Sequence, residues 1–318
     1  MKNDILIAEI SGKRPGTSSQ RSTERFITQY DKVIISNNSE GYTTDWEIIN
    51  VPDDYQEWYI SNCKSSNAYY APMNRSYAIK YAKEKGYKYL VQLDDNIDKL
   101  EISFFDANSA VKKRYRYTTT TNTDLIDDYI AMFKIVCQNT NACMVGCSLN
   151  GIAQPDMLFL SERYVYSIFM LDLSTCPEIF QGDFEDDVEY RLKCAQMGLP
   201  VIQISPLSYG KKGQAKDKDL TGCRAEYVKQ GLKRGEHMSR LYADFYSCKM
   251  SRFRHFTAAE PDEKAVNFKH TLKPFKVGVI VYDYKPIEEY MRYILKKYAT
   301  PKKDKCIIKE KKLKQKPR

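Results

Sequence analysis

Through residues 1–205 short apolar runs alternate with amphipathic stretches, and this alternation limits the chain to a few folds. Strand-like runs stand at Asp4–Ala8, Lys32–Ser36, Trp46–Val51, Tyr87–Leu93, Ala142–Leu149, Tyr164–Leu173 and Pro200–Ile204. Between them lie stretches with helical spacing. Arg21–Tyr30 is amphipathic. Asn74–Lys85 carries apolar residues at Tyr77, Ala78, Tyr81 and Ala82, and Gly86 closes it. Thr123-Asp124 can cap a helix that runs to about Gln138, and Phe184–Met197 forms another that Gly198 stops. Strands that alternate with helices predict α/β layers: a mostly parallel central sheet, Rossmann-like, flanked by helices. Hydrophobic residues make up 42% of the chain, enough to build the core such a fold needs.

Beyond Ser205 the pattern changes. Ser208–Lys218 reads as a Gly/Lys-rich loop, followed by helical stretches at Arg224–Lys233 and His237–Lys249. A late strand, Lys276–Tyr282, leads to a helix over Pro286–Tyr298 and then a polar tail. The expected division is a catalytic domain over 1–210, a basic, mainly helical C-terminal extension over 211–300 that completes an acceptor site, and a basic tail over 301–318. No apolar run reaches the roughly 18 residues of a membrane span, and the opening apolar stretch is short for a signal peptide. Nine cysteines without a CxxC pair predict reduced thiols and a cytoplasmic setting, with Cys137 and Cys194 buried in apolar patterns.

The net charge of +9 is unevenly placed. Residues 301–318 carry nine Lys or Arg against two acids, and residues 211–254 carry twelve against five, so each zone holds +7 and the remainder about −5. Two cationic zones on a slightly acidic body suit a polyanionic partner. A compositional bias toward Lys, Asn, Ile and Tyr would produce the same zones with no partner at all. In the 211–254 zone the cations are interleaved with Tyr227, Tyr242, Phe245, Tyr246 and Phe253, and 112–117 is a second basic, aromatic strip.

Three clusters carry the candidate chemistry. Tyr87–Leu93 ends abruptly in Asp94, Asp95 and Asn96. In an open α/β sheet ligands bind beyond the carboxyl ends of the strands, and hard oxygen donors there suit Mg2+ or Mn2+ together with phosphate. The same residues serve equally as a turn or helix cap. Asp183, Glu185, Asp186 and Asp187 cluster at the start of the Phe184–Met197 helix. The helix dipole favours one or two acids there, and a carboxylate in that place beside a pocket can act as a general base. Asn74 and Arg75 open the helix that feeds the acidic strand end, where an Arg can meet an anion or lie in solvent.

Taken in order, Asn74-Arg75, Leu93-Asp94-Asp95-Asn96, Phe184-Glu185-Asp186-Asp187 and Gly198-Leu199-Pro200-Val201 resemble the nucleotide-sugar glycosyltransferases of the GT-A fold, over about residues 1–210. The resemblance implies a nucleoside diphosphate sugar as donor, a UDP-sugar first of all, with its base near 7–14 and Ser11, Arg14, Asn74, Arg75, Asp94 and Asp95 as contacts. It implies Asp94 and Asn96 as ligands of Mn2+ or Mg2+, and Glu185 or Asp186 as the acceptor-side base. Two departures stand out. Asn96 replaces an acid, and the stretch after the last strand holds Lys211 and Lys212 but no histidine. Either His237 or His255 can supply the missing ligand, or the two lysines can neutralise the diphosphate themselves. Within the family, the Asn-Arg helix, the Leu-Asp-Asp-x-Ile run and the Gly-Asp-Phe-Glu-Asp-Asp segment resemble the TET-associated and phage DNA-base glycosyltransferases. This implies a 5-hydroxymethylpyrimidine in DNA as acceptor, flipped into a pocket and stacked on aromatic rings; a GT-A enzyme acting on a polysaccharide, glycolipid or protein, a nucleotidyltransferase, and a DNA-binding module without catalysis are the rival readings.

Overall fold

The computed structural model describes residues 3–12, 27–63, 71–105, 114–119, 125–149, 160–181, 186–211, 238–239, 241–251, 267–272 and 277–299. The chain begins with β1 (Ile5–Ile10), β2 (Asp31–Ser36) and β3 (Glu47–Asn50), then helices α1 (Asp53–Asn62) and α2 (Ala71–Glu84). β4 (Tyr89–Asp94), β5 (Ile97–Phe105) and β6 (Arg114–Thr119) precede α3 (Leu125–Asn139). Next come β7 (Met144–Leu149), β8 (Leu160–Glu162), β9 (Ile168–Asp172), α4 (Asp186–Gln196) and β10 (Val201–Lys211). β11 (Tyr246–Ser251), β12 (Asn267–Leu272) and α5 (Lys285–Ala299) complete the order.

Ten strands form one sheet in the order β3-β2-β1-β4-β9-β7-β10-β5-β6, with β8 also on β10. The helices lie on both faces. β1 shows why. Ile5 and Ile7 face one layer with α3 and α5, while Leu6, Ala8 and Ile10 face the other with α1, α2 and α4. α5 docks on α3 through Asp128, which accepts from the hydroxyl of Tyr298 at 2.5 Å and the ammonium of Lys297 at 2.6 Å. Gly86 and Gly198 end α2 and α4 as the sequence predicts. Both adopt positive φ (76° and 74°), and in each case the following residue's N–H reaches back to a helix carbonyl. Six cysteines among the described residues (63, 137, 143, 147, 176 and 194) are buried free thiols.

Several expectations change. The sheet is mixed rather than mostly parallel. β1, β2, β3 and β4 run parallel, as do β7 and β10, but β9 runs against both β4 and β7, and β5 against β10 and β6. The reason lies in the connections. Only two residues separate β4 from β5, too few for the crossover that parallel strands need. Ser205–Lys211 is strand rather than loop: β10 continues past Pro206, which falls where the register with β7 shifts between Gln203 and Ser208. The expected long strand Tyr164–Leu173 is shortened to β9 by a tight turn at Ser167.

Among the described residues the C-terminal extension holds strand as well as the helix α5. β11 and β12 form a two-stranded antiparallel sheet. The helix expected over His237–Lys249 gives way to strand at Tyr246. Met238, Tyr242 and Tyr246, spaced like one helical face, are buried in one cluster with Val188 and Leu192 of α4, Tyr246 from within a strand. The expected strand Lys276–Tyr282 makes one isolated bridge, Val281 to Thr140, with Ile280 and Tyr282 more than half exposed. Residues 27–30 of the expected Arg21–Tyr30 helix are not helical, and the Arg224–Lys233 helix lies outside the described residues.

Candidate functional site

The strand directions bring the carboxyl ends of β1, β4, β7 and β10 to one edge of the sheet. A helix that feeds a parallel strand runs opposite to it, so α2 brings its amino-terminal turns to that edge, and contacts of Asp186 place the start of α4 there as well. Asp94 ends β4. The chain turns through Asp95-Asn96 and re-enters the sheet as β5, whose Ile97 pairs with Lys211, the last residue of β10. That pairing carries Lys211 to Asp94 although β10 and β4 are three places apart in the sheet.

Around Asp94 the groups form a linked ionic cluster. Arg75 is buried, 5% exposed, so the solvated reading of this arginine is excluded. Its Nη2 pairs with Asp94 Oδ1, its Nε donates to Asp186 Oδ2 at 2.9 Å, and its Nη1 donates to Gln92 Oε1 at 3.1 Å. Gln92 returns the contact from Nε2 to the Arg75 carbonyl at 3.0 Å. The guanidinium also lies 5.3 Å from the ring centre of Phe169 and 5.8 Å from that of Phe180. Lys211 Nζ reaches Asp94 Oδ2 at 2.5 Å. Burial pushes the Asp94 carboxyl up, but Lys211 and Arg75 outweigh it and hold it well below the usual carboxylate range. Asp186 has one cation fewer. Burial raises its carboxyl, Arg75 opposes that, and the nearby Asp94 charge adds to the rise.

Ser167 is a site residue that sequence reasoning missed. It is a non-glycine at φ 64°, the centre of a tight turn in which the Ile168 N–H meets the Tyr166 carbonyl at 2.6 Å. Its carbonyl accepts the Asp94 N–H at 2.8 Å. Beneath the turn lies Gly146 of β7. A Cβ there would stand 2.3 Å from Val165 Cγ1 and 2.6 Å from the Ile168 carbonyl, so only glycine lets the turn seat.

A second cluster lies on the β1 and β2 side of the same edge. Ser11 Oγ donates to Asp95 Oδ2 at 2.8 Å and lies 2.8 Å from the Tyr42 hydroxyl. Asn74 Nδ2 donates to the Ser11 carbonyl at 2.8 Å and to Asn37 Oδ1 at 3.3 Å, tying the ends of β1 and β2 to α2. Asn74 Oδ1 and Asn96 Oδ1 are buried acceptors without a partner among the described residues, and such groups are costly unless something donates to them. Tyr42, Asn37 and Gln92 carry no motif in the sequence that would single them out.

The expected residues therefore divide into those brought together and those outside view. Asp94, Arg75, Lys211 and Asp186 form one cluster, and Ser11, Asn74 and Asp95 form the other, with Asn96 in the turn between β4 and β5. Glu185, Asp183, Arg14, Lys212, His237 and His255 lie outside the described residues. A divalent metal fits this arrangement poorly. Both oxygens of Asp94 already carry cationic partners, Asp95 is taken up by Ser11, and no group of three or more His, Cys, Asp or Glu among the described residues is placed to hold an ion. Asn96 adds one neutral donor.

No helix among the described residues is long and apolar enough to cross a membrane. No protein-family model matches the chain, and no curated protein matches it. Among solved structures it is similar to a crystal structure of a presumed nucleotide-diphospho-sugar transferase from Desulfovibrio desulfuricans G20. The match has 12% identity and a TM-score of 0.33, and it covers 76% of this chain and 95% of that chain.

Proposed function

We propose that the protein is a GT-A-type glycosyltransferase that moves a sugar from a nucleoside diphosphate sugar, a UDP-sugar first of all, to a hydroxyl acceptor. The acceptor we propose is a 5-hydroxymethylated pyrimidine base in DNA. The single observation that carries the reading is the convergence of Asp94, Arg75, Lys211 and Asp186 at the carboxyl edge of the sheet.

In this reading the donor's base lies toward Ser11 and Asn74, and its diphosphate crosses the edge at Asp94. The unpartnered Oδ1 atoms of Asn74 and Asn96 accept from the nucleoside or the sugar. Cationic groups at the edge oppose the charge that grows on the departing diphosphate. Arg75 fixes the distance between the donor-side Asp94 and the acceptor-side Asp186 by holding both. Burial makes Asp186 a stronger base than an ordinary aspartate, which suits removal of a proton from the acceptor hydroxyl, and its chain neighbour Glu185 is the other candidate. If the transfer retains anomeric configuration, these two acids orient the acceptor instead. The DNA acceptor is supported by the cationic zones at 211–254 and 301–318 and by the motif resemblance.

The test is a panel of nucleotide sugars, assayed for nucleoside diphosphate release against plain DNA, hydroxymethylated DNA and saccharide acceptors. Release that rises with hydroxymethylated DNA is expected. Release with saccharides alone overturns the DNA acceptor, and release of pyrophosphate in place of a nucleoside diphosphate overturns glycosyl transfer.

A further inference from the structure

We propose that the Lys211 ammonium takes the place of a divalent metal at this edge, so that a nucleoside diphosphate binds without any metal ion. The inference deepens the donor reading above and rests on it.

Three observations point the same way. First, the cation is already in position. Lys211 ends β10 at the carboxyl edge, and its ammonium sits 2.5 Å from the Asp94 oxygen that a metal would need. Second, Asp94 cannot turn its other oxygen to a metal, because Arg75 holds it, and Arg75 is fixed in turn by Asp186, Gln92 and two aromatic rings. A divalent ion would have to displace a buried guanidinium or the ammonium, and the unpartnered side-chain oxygens of Asn74 and Asn96 are neutral amides. Third, Lys211 is built into the sheet. Its pairing with Ile97 follows the register shift between Gly210 and Lys211, so the backbone beneath the ammonium is held by β5. An ammonium has three N–H groups, and Asp94 takes one. With its side chain 29% exposed, Lys211 keeps a face toward solvent from which the others can meet phosphate oxygens.

The experiment is calorimetric titration of the full chain with UDP, dTDP, CDP, GDP and ADP, each in EDTA and in Mn2+. At least one nucleotide is expected to bind with an affinity that differs less than about threefold between the two conditions, a change worth well under 1.4 kcal/mol. In Lys211→Gln the affinity for that nucleotide in EDTA is expected to fall roughly tenfold or more, the worth of one charge-assisted contact. Mn2+ is expected to recover part of the loss, since Asp94 Oδ2 is then free to bind it, which general damage to the fold would not allow. Binding to the wild type that requires Mn2+ overturns the metal substitution and leaves the donor reading standing. Absence of binding by every nucleotide in both conditions overturns both. If Lys211→Gln fails to fold, the wild-type comparison still decides.

Discussion

Two groups of buried acids stand on or beside α4, one turn apart, and differ in what closes over them. Glu189 is fully buried and has all its partners inside the protein: the Gln181 N–H at 2.8 Å, the Tyr242 hydroxyl at 2.5 Å and the Lys193 ammonium at 3.0 Å. Asp186 and Asp94 share Arg75, yet their side chains remain 15% and 21% exposed at the sheet edge. The Glu189 cluster ties α4 to the backbone at Gln181 and to the extension around Tyr242. The Asp94 cluster opens to solvent where strands end. Burial of charge alone does not make a site; buried charge with cations and solvent at a strand edge can.

The comparison breaks most severely at Arg75. Arg75→Met leaves two buried carboxylates facing each other without their shared cation, and a loss of about 3–5 kcal/mol in denaturant unfolding is expected. Asp186→Asn in the same background should recover part of it. A loss under about 1 kcal/mol would mean the cluster is not held as described. Next is Gly146→Ala, which meets backbone as well as side chain under the Ser167 turn and should cost about 1–3 kcal/mol as an overpacked site does. It should also weaken nucleotide binding, because the turn carries the carbonyl that fixes Asp94. Tyr242→Phe removes one donor from the sealed carboxylate and should cost about 1–2 kcal/mol while leaving nucleotide affinity unchanged.

The smallest effect separates the two clusters by sign. Asp94 is held low, so its contribution is present above the ordinary aspartate pKa of about 3.9 and is lost as pH falls toward the folded value. Glu189 is raised, first by burial, so its contribution is present at acid pH and is lost as pH rises through its folded value. The deficit of Asp94→Asn should therefore grow from acid to neutral pH, and that of Glu189→Gln should shrink, each by about 1.4 kcal/mol for every tenfold change in proton affinity on folding. Parallel curves would show that the two environments do not differ as described.

The sequence made β4, α2 and the start of α4 legible, because each has a clean apolar period and a glycine or acidic boundary. α1 was not legible, since Tyr55 and Tyr59 are its buried residues and make no continuous stripe. β5 was missed because Ile97, Leu100 and Ile102 follow neither period throughout. The meeting of Lys211 with Asp94 depends on β10 running on past Ser205-Pro206, which local rules read as a loop, and on a pairing with β5 that no local pattern encodes. Ser167 hid for a related reason: its positive φ is imposed by the turn over Gly146, a contact between residues distant in the chain. The candidate acids could thus be read from the chain, while the cations that hold them and the backbone that aims them come from tertiary structure.

The most direct measurement is an experimental structure of the chain soaked with the nucleoside diphosphate that binds best. The account predicts phosphate oxygens within hydrogen-bonding reach of Lys211 Nζ, at the end of β4, with the base toward Ser11 and Asn74. A nucleotide lodged away from Asp94 and Lys211 would contradict it.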